Sequence, residues 1–298
     1  MTTFGHRISD IGHRSSRRLR WFWVLGAGGV LLLVALGYEV ATWPHVARLA
    51  TRNPTTTAFI EEYQAGQRAQ GRSPAVEWHP VPHEQIAPSL RRAVVSGEDM
   101  EFFFHHGFSS AEIKDALATA VRKFAIPRGA STITQQLAKN LWLSPSRNPL
   151  RKLKEALLTI QLEHDLTKQR ILDLYLNVAE FGPGIYGAEA AAEHYFGEPA
   201  SELTEEQAGE LAAGLPRPST WHPGRDSDGY RAYVAEIERR MARATFLWRY
   251  VGGAPAAPAG SVAAPAVGVN LDSALNVDSI IKVLADTSLV PADTDTIR

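Results

Sequence analysis

The stretch 97–107, with the sequence GEDMEFFFHHG, contains the residue types best suited to acid–base chemistry. Two adjacent carboxylates, Glu98 and Asp99, stand next to three consecutive phenylalanines. A carboxyl group against an apolar wall loses hydration, which raises its pKa toward neutrality and makes it a candidate general base. Solvated charges beside a buried aromatic cluster would give the same pattern, so both interpretations stay open. For His105 and His106 a structural hydrogen bond is favoured over a metal site, because neighbouring histidines rarely share one ion.

The stretch 128–141, RGASTITQQLAKNL, predicts an amphipathic helix capped by Ser131 or Thr132. Its apolar residues at 133, 137 and 141 would face the core, and the opposite face carries Gln135, Gln136, Lys139 and Asn140. Free N–H groups and hydroxyls at a helix start, with a lysine two turns later, suit a phosphate or sugar hydroxyls. A merely solvated amphipathic helix is the alternative.

A third polar cluster, Arg151, Lys152 and Glu155, lies in the most basic part of the chain. The window 122–155 holds eight basic residues and one acid, so it carries +7, and the rest of a chain of net charge −1 carries −8. A diphosphate suits such a cluster, because arginine binds phosphate bidentately and lysine adds a point charge. A surface ion pair between Arg151 and Glu155 would look the same. As the only acid of the window, Glu155 is expected to orient the cations or share a metal ion.

The elements that position these clusters are predicted to be helices. The chain of 298 residues can bury one sizeable core, and strand patterns are nearly absent from 86–250. Capping boxes are predicted at Ser109, Thr132 and Thr204, and a further helix begins at Pro149 with a buried stripe of Leu150, Leu153, Leu157 and Ile160. Cysteine is absent, which excludes disulfides, thiolate metal sites and a cysteine nucleophile.

The N-terminus indicates a membrane. Residues 21–38 form an uncharged run that as a helix would span roughly 27 Å, enough to cross a bilayer core. Four arginines precede the run, and tryptophan and tyrosine flank it, so we expect the N-terminus to be cytoplasmic and the remainder exported. A cleaved signal peptide is the alternative, but the apolar run is long for one and no small-x-small cleavage site follows it.

The remaining segments differ in composition. A polar, proline-punctuated region precedes the helical body, and Gly, Ala and Pro dominate after residue 250. The predicted division is a basic cytoplasmic N-terminus at 1–20, a transmembrane helix at 21–43, a connector at 44–85, a catalytic body at 86–250, a linker at 251–268 and an acidic tail of unknown role at 269–298.

Together these stretches resemble glycosyltransferase family 51, the peptidoglycan glycosyltransferases. Five motifs occur in order between residues 86 and 223. They are Glu98-Asp99-x-x-Phe102-x-x-His105-x-Gly107, Gly129-x-Ser131-Thr132-x-Thr134-Gln135-Gln136-Leu137-x-Lys139-Asn140, Arg151-Lys152-x-x-Glu155, Lys168-x-x-Ile171-Leu172-x-x-Tyr175-Leu176-Asn177, and Gly184-x-x-Gly187-x-x-x-Ala191-Ala192-x-x-Tyr195-Phe196-Gly197. The chain has no Ser-x-x-Lys motif accompanied by the partner motifs of a transpeptidase, so the resemblance is to the monofunctional form.

The resemblance implies a mostly α fold: a lysozyme-like helical lobe and a smaller membrane-facing lobe with a mobile segment around 116–128, preceded by one transmembrane helix. It implies inner-membrane localisation with a periplasmic catalytic domain. The expected partners are lipid II, the growing glycan strand, the cytoplasmic membrane and cell-wall synthesis proteins, with no nucleic acid. The expected cofactor is at most a divalent cation, Mg or Mn, and no organic cofactor.

The resemblance also implies roles for single residues. Glu98 is expected to be the general base that activates the acceptor 4-hydroxyl, and Glu155 to orient the cations or hold the metal. Substrate-binding roles are expected for Asp99, Ser131, Thr132, Gln136, Lys139, Asn140, Arg151 and Lys152.

Two alternatives come from other functional classes. A lysozyme-like cell-wall hydrolase could share the α fold and a single glutamate, but cutting a neutral glycan gives no reason for so many cations near a leaving group. A membrane-tethered binding or scaffold protein could use the basic face without turnover.

Overall fold

The structure is a computed structural model that describes residues 23, 25–31, 33–34, 37–109, 131–143, 149–225 and 227–252. Helical residues occur between Trp23 and Ala41. The helices that follow are α1 (Ala58–Ala69), α2 (Pro88–Glu98), α3 (Ile133–Trp142), α4 (Pro149–Asp165), α5 (Lys168–Val178), α6 (Ala188–Phe196), α7 (Glu205–Gly214), α8 (Asp228–Arg243) and α9 (Trp248–Val251). Short 3₁₀ turns lie at Val46–Ala50, His83–Gln85, Phe102–Phe104 and Thr245–Leu247. The prediction of a mostly α body is confirmed.

Side-chain caps start several of these helices. The hydroxyl of Thr132 accepts the backbone N–H of Gln135, and Thr204 forms a complete capping box with Gln207. Each cap supplies a partner for an N–H group that the helix itself cannot satisfy. The predicted helix start at Pro149 is also found. The partner of Ser109 in the third predicted box, Glu112, lies outside the described residues.

The core forms around α2, which packs against α7 and α8, while α3 packs against α4 and α5. Leu90 and Val94 of α2 are fully buried, as are Ile133 and Leu137 of α3. The apolar stripe predicted for α3 is therefore found, because its residues are buried in the core. On the polar side Gln135 is buried rather than solvent-facing.

Three short strands join the N-terminal region to this body. They are β1 (Glu77–Trp78), β2 (Glu180–Gly182) and β3 (Ile185–Tyr186), in the order β1-β3-β2. β1 runs parallel to β3, and β2 pairs antiparallel with β3 with a register shift between Glu180 and Gly182. The sheet is small, yet it fixes the residues that follow α5.

The segment 44–85, expected to be a connector, is packed onto the body. Helix α1 contacts α3. The indole N–H of Trp78 donates to the carbonyl of Asn177 at 2.7 Å, and the Asn177 side chain in turn accepts the N–H of Val81 at 2.7 Å. The connector prediction was therefore incomplete, because the proline-rich composition concealed contacts that only the folded chain brings together.

The predicted buried stripe of α4 is wrong. Its members are solvent-exposed, at 71% for Leu150, 59% for Leu153, 47% for Leu157 and 55% for Ile160. The face that packs against α3 instead carries Glu155, Leu158, Thr159 and Leu162, all buried. Helical periodicity identifies an apolar face but does not say whether protein or another apolar phase covers it.

Several predicted segments fall outside the described residues: the basic N-terminus 1–20, the segment 116–128, and the linker and tail after residue 252. The predicted transmembrane helix at 21–43 falls outside them in part. Among the residues that the structure does describe, no helix is both long enough and apolar enough to cross a membrane.

Candidate active site

Glu98 is the last residue of α2 and is half-buried. Its Oε2 accepts a hydrogen bond of 2.8 Å from Nε2 of Gln136. Its Oε1 is buried without a hydrogen-bond partner in the described part of the chain. A carboxylate at a helix C-terminus also meets the negative end of the helix dipole. The ionised form of Glu98 is thus poorly stabilised, which suits a group that must take up a proton.

The electrostatic surroundings of Glu98 are mixed. Burial raises its pKa above the usual value of a glutamate, and the neighbouring charge of Asp99 acts in the same direction. The hydrogen bond from Gln136 and the positive charges of Lys139 and Arg240 oppose that rise. A base with a raised pKa sits closer to neutrality and transfers protons more efficiently there.

Gln136 connects this base to a buried tyrosine. The Tyr175 hydroxyl lies 2.8 Å from Oε1 of Gln136. Burial, followed by the charge of Glu98, raises the pKa of Tyr175 well above its usual value, so the phenol stays protonated and donates. Because Oε1 of Gln136 accepts from Tyr175, its amide group must point toward Glu98. The amide orientation is therefore set by Tyr175.

Asp99 faces away from Glu98, toward the start of α3. Its carboxylate accepts the backbone N–H of Ile133 and the Nε2–H of His105, each at 3.0 Å. The Nδ1 of His105 accepts the backbone N–H of Gly107 at 3.1 Å, which assigns the proton to Nε2. Asp99 is the anion at this helix N-terminus. The favoured structural role of His105 is thus found.

This arrangement corrects the expectation that the start of α3 receives a substrate phosphate. Thr132 is buried, caps its own helix and donates its hydroxyl proton to the carbonyl of Gly107 at 2.7 Å. Both Thr132 and Asp99 are engaged within the protein and hold α3 against the 97–107 stretch. Ser131, one residue earlier, is exposed and lies beside Gln136, whose Nε2 is 3.3 Å from the Ser131 carbonyl.

The predicted cations do come together. Glu155 is buried, accepts from Nη1 of Arg151 at 3.2 Å and forms a second ion pair with Lys152. Lys139 from α3 lies close enough for these charges to act on it: burial lowers its pKa, Glu155 raises it, and Arg151 and Lys152 lower it again. Two cations therefore pair with one carboxylate and a third lies within its electrostatic reach, so the cluster keeps a net positive charge near Glu98.

Glu155 does not offer a metal site with the described residues. Both of its oxygens already hold cationic side chains. In the described part of the chain, no group of three or more His, Cys, Asp or Glu side chains could hold a metal ion. A divalent cation normally needs several oxygen ligands. No chemical step is therefore derived through a metal.

A cleft of about 580 Å³ runs beside these groups. Three predicted site residues, Gln136, Lys139 and Asn140, line it, and Glu98 adjoins it through Gln136. Lining residues outside the predicted site are Phe59, Tyr175, Ala179, Glu180 and Leu215–Thr220. Phe59 comes from the supposed connector, with its ring 5.5 Å from the Lys139 ammonium. An isolated carboxylate directly after a buried helix was the one sequence signal that could have indicated Glu180.

Comparison with known proteins agrees with this geometry. A family model described as Transglycosylase matches residues 58–243. A protein of Laribacter hongkongensis named biosynthetic peptidoglycan transglycosylase is 40% identical over 219 residues, covering 74% of this chain and 96% of that protein. Proteins of the same name from Thiobacillus denitrificans and Bordetella avium are 41% and 42% identical, covering 75% and 74% of this chain and 97% and 94% of their own. The chain therefore belongs to the transglycosylase family.

Proposed function

We propose that this protein is a peptidoglycan glycosyltransferase that polymerises lipid II into β-1,4-linked glycan strands for cell wall synthesis. The observation that carries the proposal is that Glu98 adjoins the cleft through Gln136, while Lys139 lines the cleft and belongs to a net positive cluster with Arg151 and Lys152. A base and a cationic site side by side are what transfer of a sugar from a diphosphate requires. The names of the curated relatives support the same activity.

In the proposed reaction, the 4-hydroxyl of an acceptor sugar attacks the anomeric carbon of a lipid-linked donor. Glu98 accepts the hydroxyl proton as the new C–O bond forms, and the bond from the anomeric carbon to the diphosphate oxygen breaks. Attack opposite the leaving group inverts the α-linked donor to a β linkage, as in single-displacement glycosidases. Gln136 and Tyr175 keep the Glu98 carboxylate in place for the proton transfer.

The leaving group is undecaprenyl diphosphate, on which negative charge develops as the bond breaks. Lys139, Arg151 and Lys152 would stabilise that charge. Their positions are set beforehand by the buried carboxylate of Glu155, so little reorganisation is needed during the reaction. Asn140 lines the same cleft and would bind the donor together with Ser131 and Gln136.

The direct test is polymerisation of labelled lipid II by the detergent-solubilised protein, with products sized before and after muramidase digestion. Muramidase-sensitive polymer whose formation is blocked by moenomycin is the expected result. Absence of polymer, together with release of soluble muropeptides from purified sacculi, would overturn the proposal in favour of a hydrolase. Binding of lipid II without any product would overturn it in favour of a scaffold.

We further propose that the protein works at the bacterial inner membrane, with the N-terminus cytoplasmic and the catalytic domain periplasmic. The exposed leucines of α4 support this placement, since they form a continuous apolar face. The N-terminal residues reach the same helix: Trp43 donates its indole N–H to Gln161 at 2.8 Å, and Lys154 pairs with Glu39 at 2.7 Å. A transmembrane helix that ends near Glu39 and Trp43 would place the exposed apolar face of α4 next to the bilayer.

The other expectations stay predictions. These are the lysozyme-like and smaller membrane-facing lobes, the divalent cation, the cell-wall synthesis partners and the division of the chain beyond the body. Chelation with EDTA, followed by readdition of Mg²⁺ or Mn²⁺, tests the cation in the same polymerisation assay. Deletion of the residues after 250 tests whether the tail contributes to activity.

A further inference from the structure

Glu180 is a second carboxylate of the cleft, and nothing in the proposed reaction uses it. It is the first residue of β2, follows directly on Ala179 and lines the cleft together with Gln136 and Lys139. Glu98 and Glu155 both have partners that explain their positions, whereas Glu180 lines a space that a substrate must enter. Glu180 therefore offers its carboxyl group to that substrate.

A tight turn holds Glu180 in place. The backbone N–H of Gly184 donates to the Glu180 carboxylate, and strand β3 begins at the next residue. Gly184 has a φ of +80°, and a Cβ at this position would lie 2.7 Å from the Tyr63 hydroxyl. Both facts restrict the position to glycine. The turn at Gly184 is therefore fixed by its own backbone conformation and by the neighbouring Tyr63. The Gly184 N–H group orients the Glu180 carboxyl group, which has further lone pairs that can accept hydrogen bonds from a ligand.

Several charged and titratable groups lie around Glu180. Lys139 from α3 and Arg217 from the loop 215–220 also line the cleft, and Tyr186 of β3 and Tyr195 of α6 have their pKa values raised in part by the Glu180 charge. Among the described residues, no cation contributes to the pKa shift of Glu180. Burial raises the pKa of Glu180 to about 7, and the Gly184 hydrogen bond opposes that rise.

Charges of both signs line the cleft. Lys139, which lies near Arg151 and Lys152, and Arg217 are cationic, and Glu180 is the acidic residue among the described lining residues. The cations attract a diphosphate, whereas an ionised Glu180 repels it. A carboxyl group can donate as well as accept when protonated, which matches hydroxyl and acetamido groups of a sugar.

Resting on the proposed function, we propose that Glu180, which lines the cleft beside Gln136 and Lys139, is a substrate-binding residue whose carboxyl group hydrogen-bonds a hydroxyl or acetamido group in the sugar portion of the lipid-linked substrate. Ionisation of Glu180 removes a donor and adds a negative charge close to an anionic substrate. Substrate binding therefore weakens as pH rises through neutrality, while the chemical step, which depends on Glu98, is unaffected by this group.

The test compares the KM for lipid II between pH 6 and 8.5 in the full-length wild type and in Glu180→Gln, which is permanently neutral and retains a donor. The wild-type KM is expected to rise about threefold to tenfold over this range, the size of one hydrogen bond gained or lost. Glu180→Gln is expected to keep a low KM that does not follow this rise, with a kcat close to wild type. Glu180→Ala is expected to have a raised KM at every pH.

Glu202→Gln is the matched control, because Glu202 is an exposed glutamate in the turn before α7. It should reproduce the wild-type pH profile. Equal KM profiles for wild type and Glu180→Gln would overturn the assignment, and so would a wild-type KM that is constant over the range, which needs no variant at all. Absence of polymer from the wild type at any pH would overturn the proposed function itself, and this outcome is distinct because it appears before any substitution is made.

Discussion

The amide nitrogen of Gln136 lies 2.8 Å from Oε2 of Glu98, and the opposite end of the same amide accepts the Tyr175 hydroxyl at 2.8 Å. One oxygen of Glu98 is thus held by a chain of side chains, while the other is buried without a partner among the described residues. A carboxylate with a single neutral donor is positioned without being strongly stabilised in its ionised form. A general base requires this combination, in which the carboxylate is held in place but still takes up a proton readily.

Glu98→Gln should abolish polymerisation and leave the fold intact. Glutamine can keep the contact with Gln136 but cannot accept the hydroxyl proton, so the rate should fall about 10²-fold to 10⁴-fold or more. Because burial raises the pKa of Glu98, its ionised form costs stability at neutral pH, and the variant should melt at an equal or higher temperature. Polymerisation of lipid II and thermal unfolding by circular dichroism measure the two effects. Substantial glycan synthesis by this variant would exclude Glu98 as the base.

The pH dependence of kcat should be bell-shaped. Glu98 must be ionised to act, so activity is lost as pH falls through its pKa, and that limb should lie above the value of an ordinary glutamate. Lys139 must be protonated, and since burial lowers its pKa, the alkaline limb should lie below that of an ordinary lysine. Gln136→Ala removes the hydrogen bond that opposes the rise for Glu98, so the acid limb should move to higher pH. An acid limb that stays in place in Gln136→Ala would contradict the role given to this amide.

Glu155→Gln should impair catalysis through the cations. The substitution removes the ion-pair partner of Arg151 and Lys152 and the negative charge near Lys139, so the three cations repel one another and their positions relax. We expect a loss of kcat of at least tenfold and a fall of about 1–3 kcal/mol in the free energy of unfolding, since the carboxylate is buried but its partners are partly exposed. Urea unfolding and single-turnover kinetics measure these. Wild-type kcat with unaltered stability would show that Glu155 orients nothing.

Sequence reasoning succeeded where a residue acts through its own local element. The cap of α3 was predicted from hydroxyl placement and is found, and Glu98, Gln136 and Lys139, which the motifs singled out, lie close together, while their roles stay predictions. It failed where the deciding contact comes from a distant part of the chain. Phe59 reaches the cleft only because α1 packs on α3, a contact that no local pattern encodes.

One further failure concerns the apolar face of α4. The stripe that begins at Leu150 is apolar whether protein or lipid covers it, so its burial could not be deduced from spacing alone. The substrate-binding role expected for Asp99 from the family resemblance stays a prediction, and the contacts of Asp99 could not be read from the sequence. The end of α2 turns the side chains of Glu98 and Asp99 in different directions, one toward Gln136 and one toward the N-terminus of α3.

Asp99→Asn should reduce stability more than substrate binding. The aspartate carboxylate accepts from both Ile133 and His105, whereas an asparagine loses the negative charge and places an NH₂ donor where Oδ1 faced the Nε2–H of His105. We expect the free energy of unfolding to fall by about 1–3 kcal/mol, with the KM for lipid II changed little at a temperature where the variant is folded. Urea unfolding and steady-state kinetics measure the two quantities. A large rise in KM at unchanged stability would restore the substrate-binding role predicted for Asp99.

Charged residues in the exposed face of α4 should impair activity in a membrane but not in detergent. Leu153 and Leu157 lie one helical turn apart on this face, and Lys154 next to them holds Glu39 at the end of the N-terminal helical residues. If the face lies in the apolar part of a bilayer, a glutamate there costs about 2–3 kcal/mol and tilts the cleft away from substrate in the same membrane. The double variant Leu153→Glu, Leu157→Glu should therefore polymerise lipid II at least tenfold more slowly than wild type in proteoliposomes.

In detergent micelles the same variant should approach the wild-type rate, because both enzyme and substrate can reorient freely. Ala232→Glu is the control: Ala232 is exposed on α8, a helix that packs on α2 and α7 and away from the α4 face. It adds a charge to the surface without touching the proposed membrane contact, so its ratio of liposome to micelle rates should equal that of the wild type. An equal ratio for the double variant would mean that α4 faces water, and its exposed leucines would then need a protein partner to cover them. If the ratio of liposome to micelle rates falls only in the α4 double variant, the α4 face contacts lipid. The N-terminal segment cannot account for such a difference, because it is identical in all three proteins.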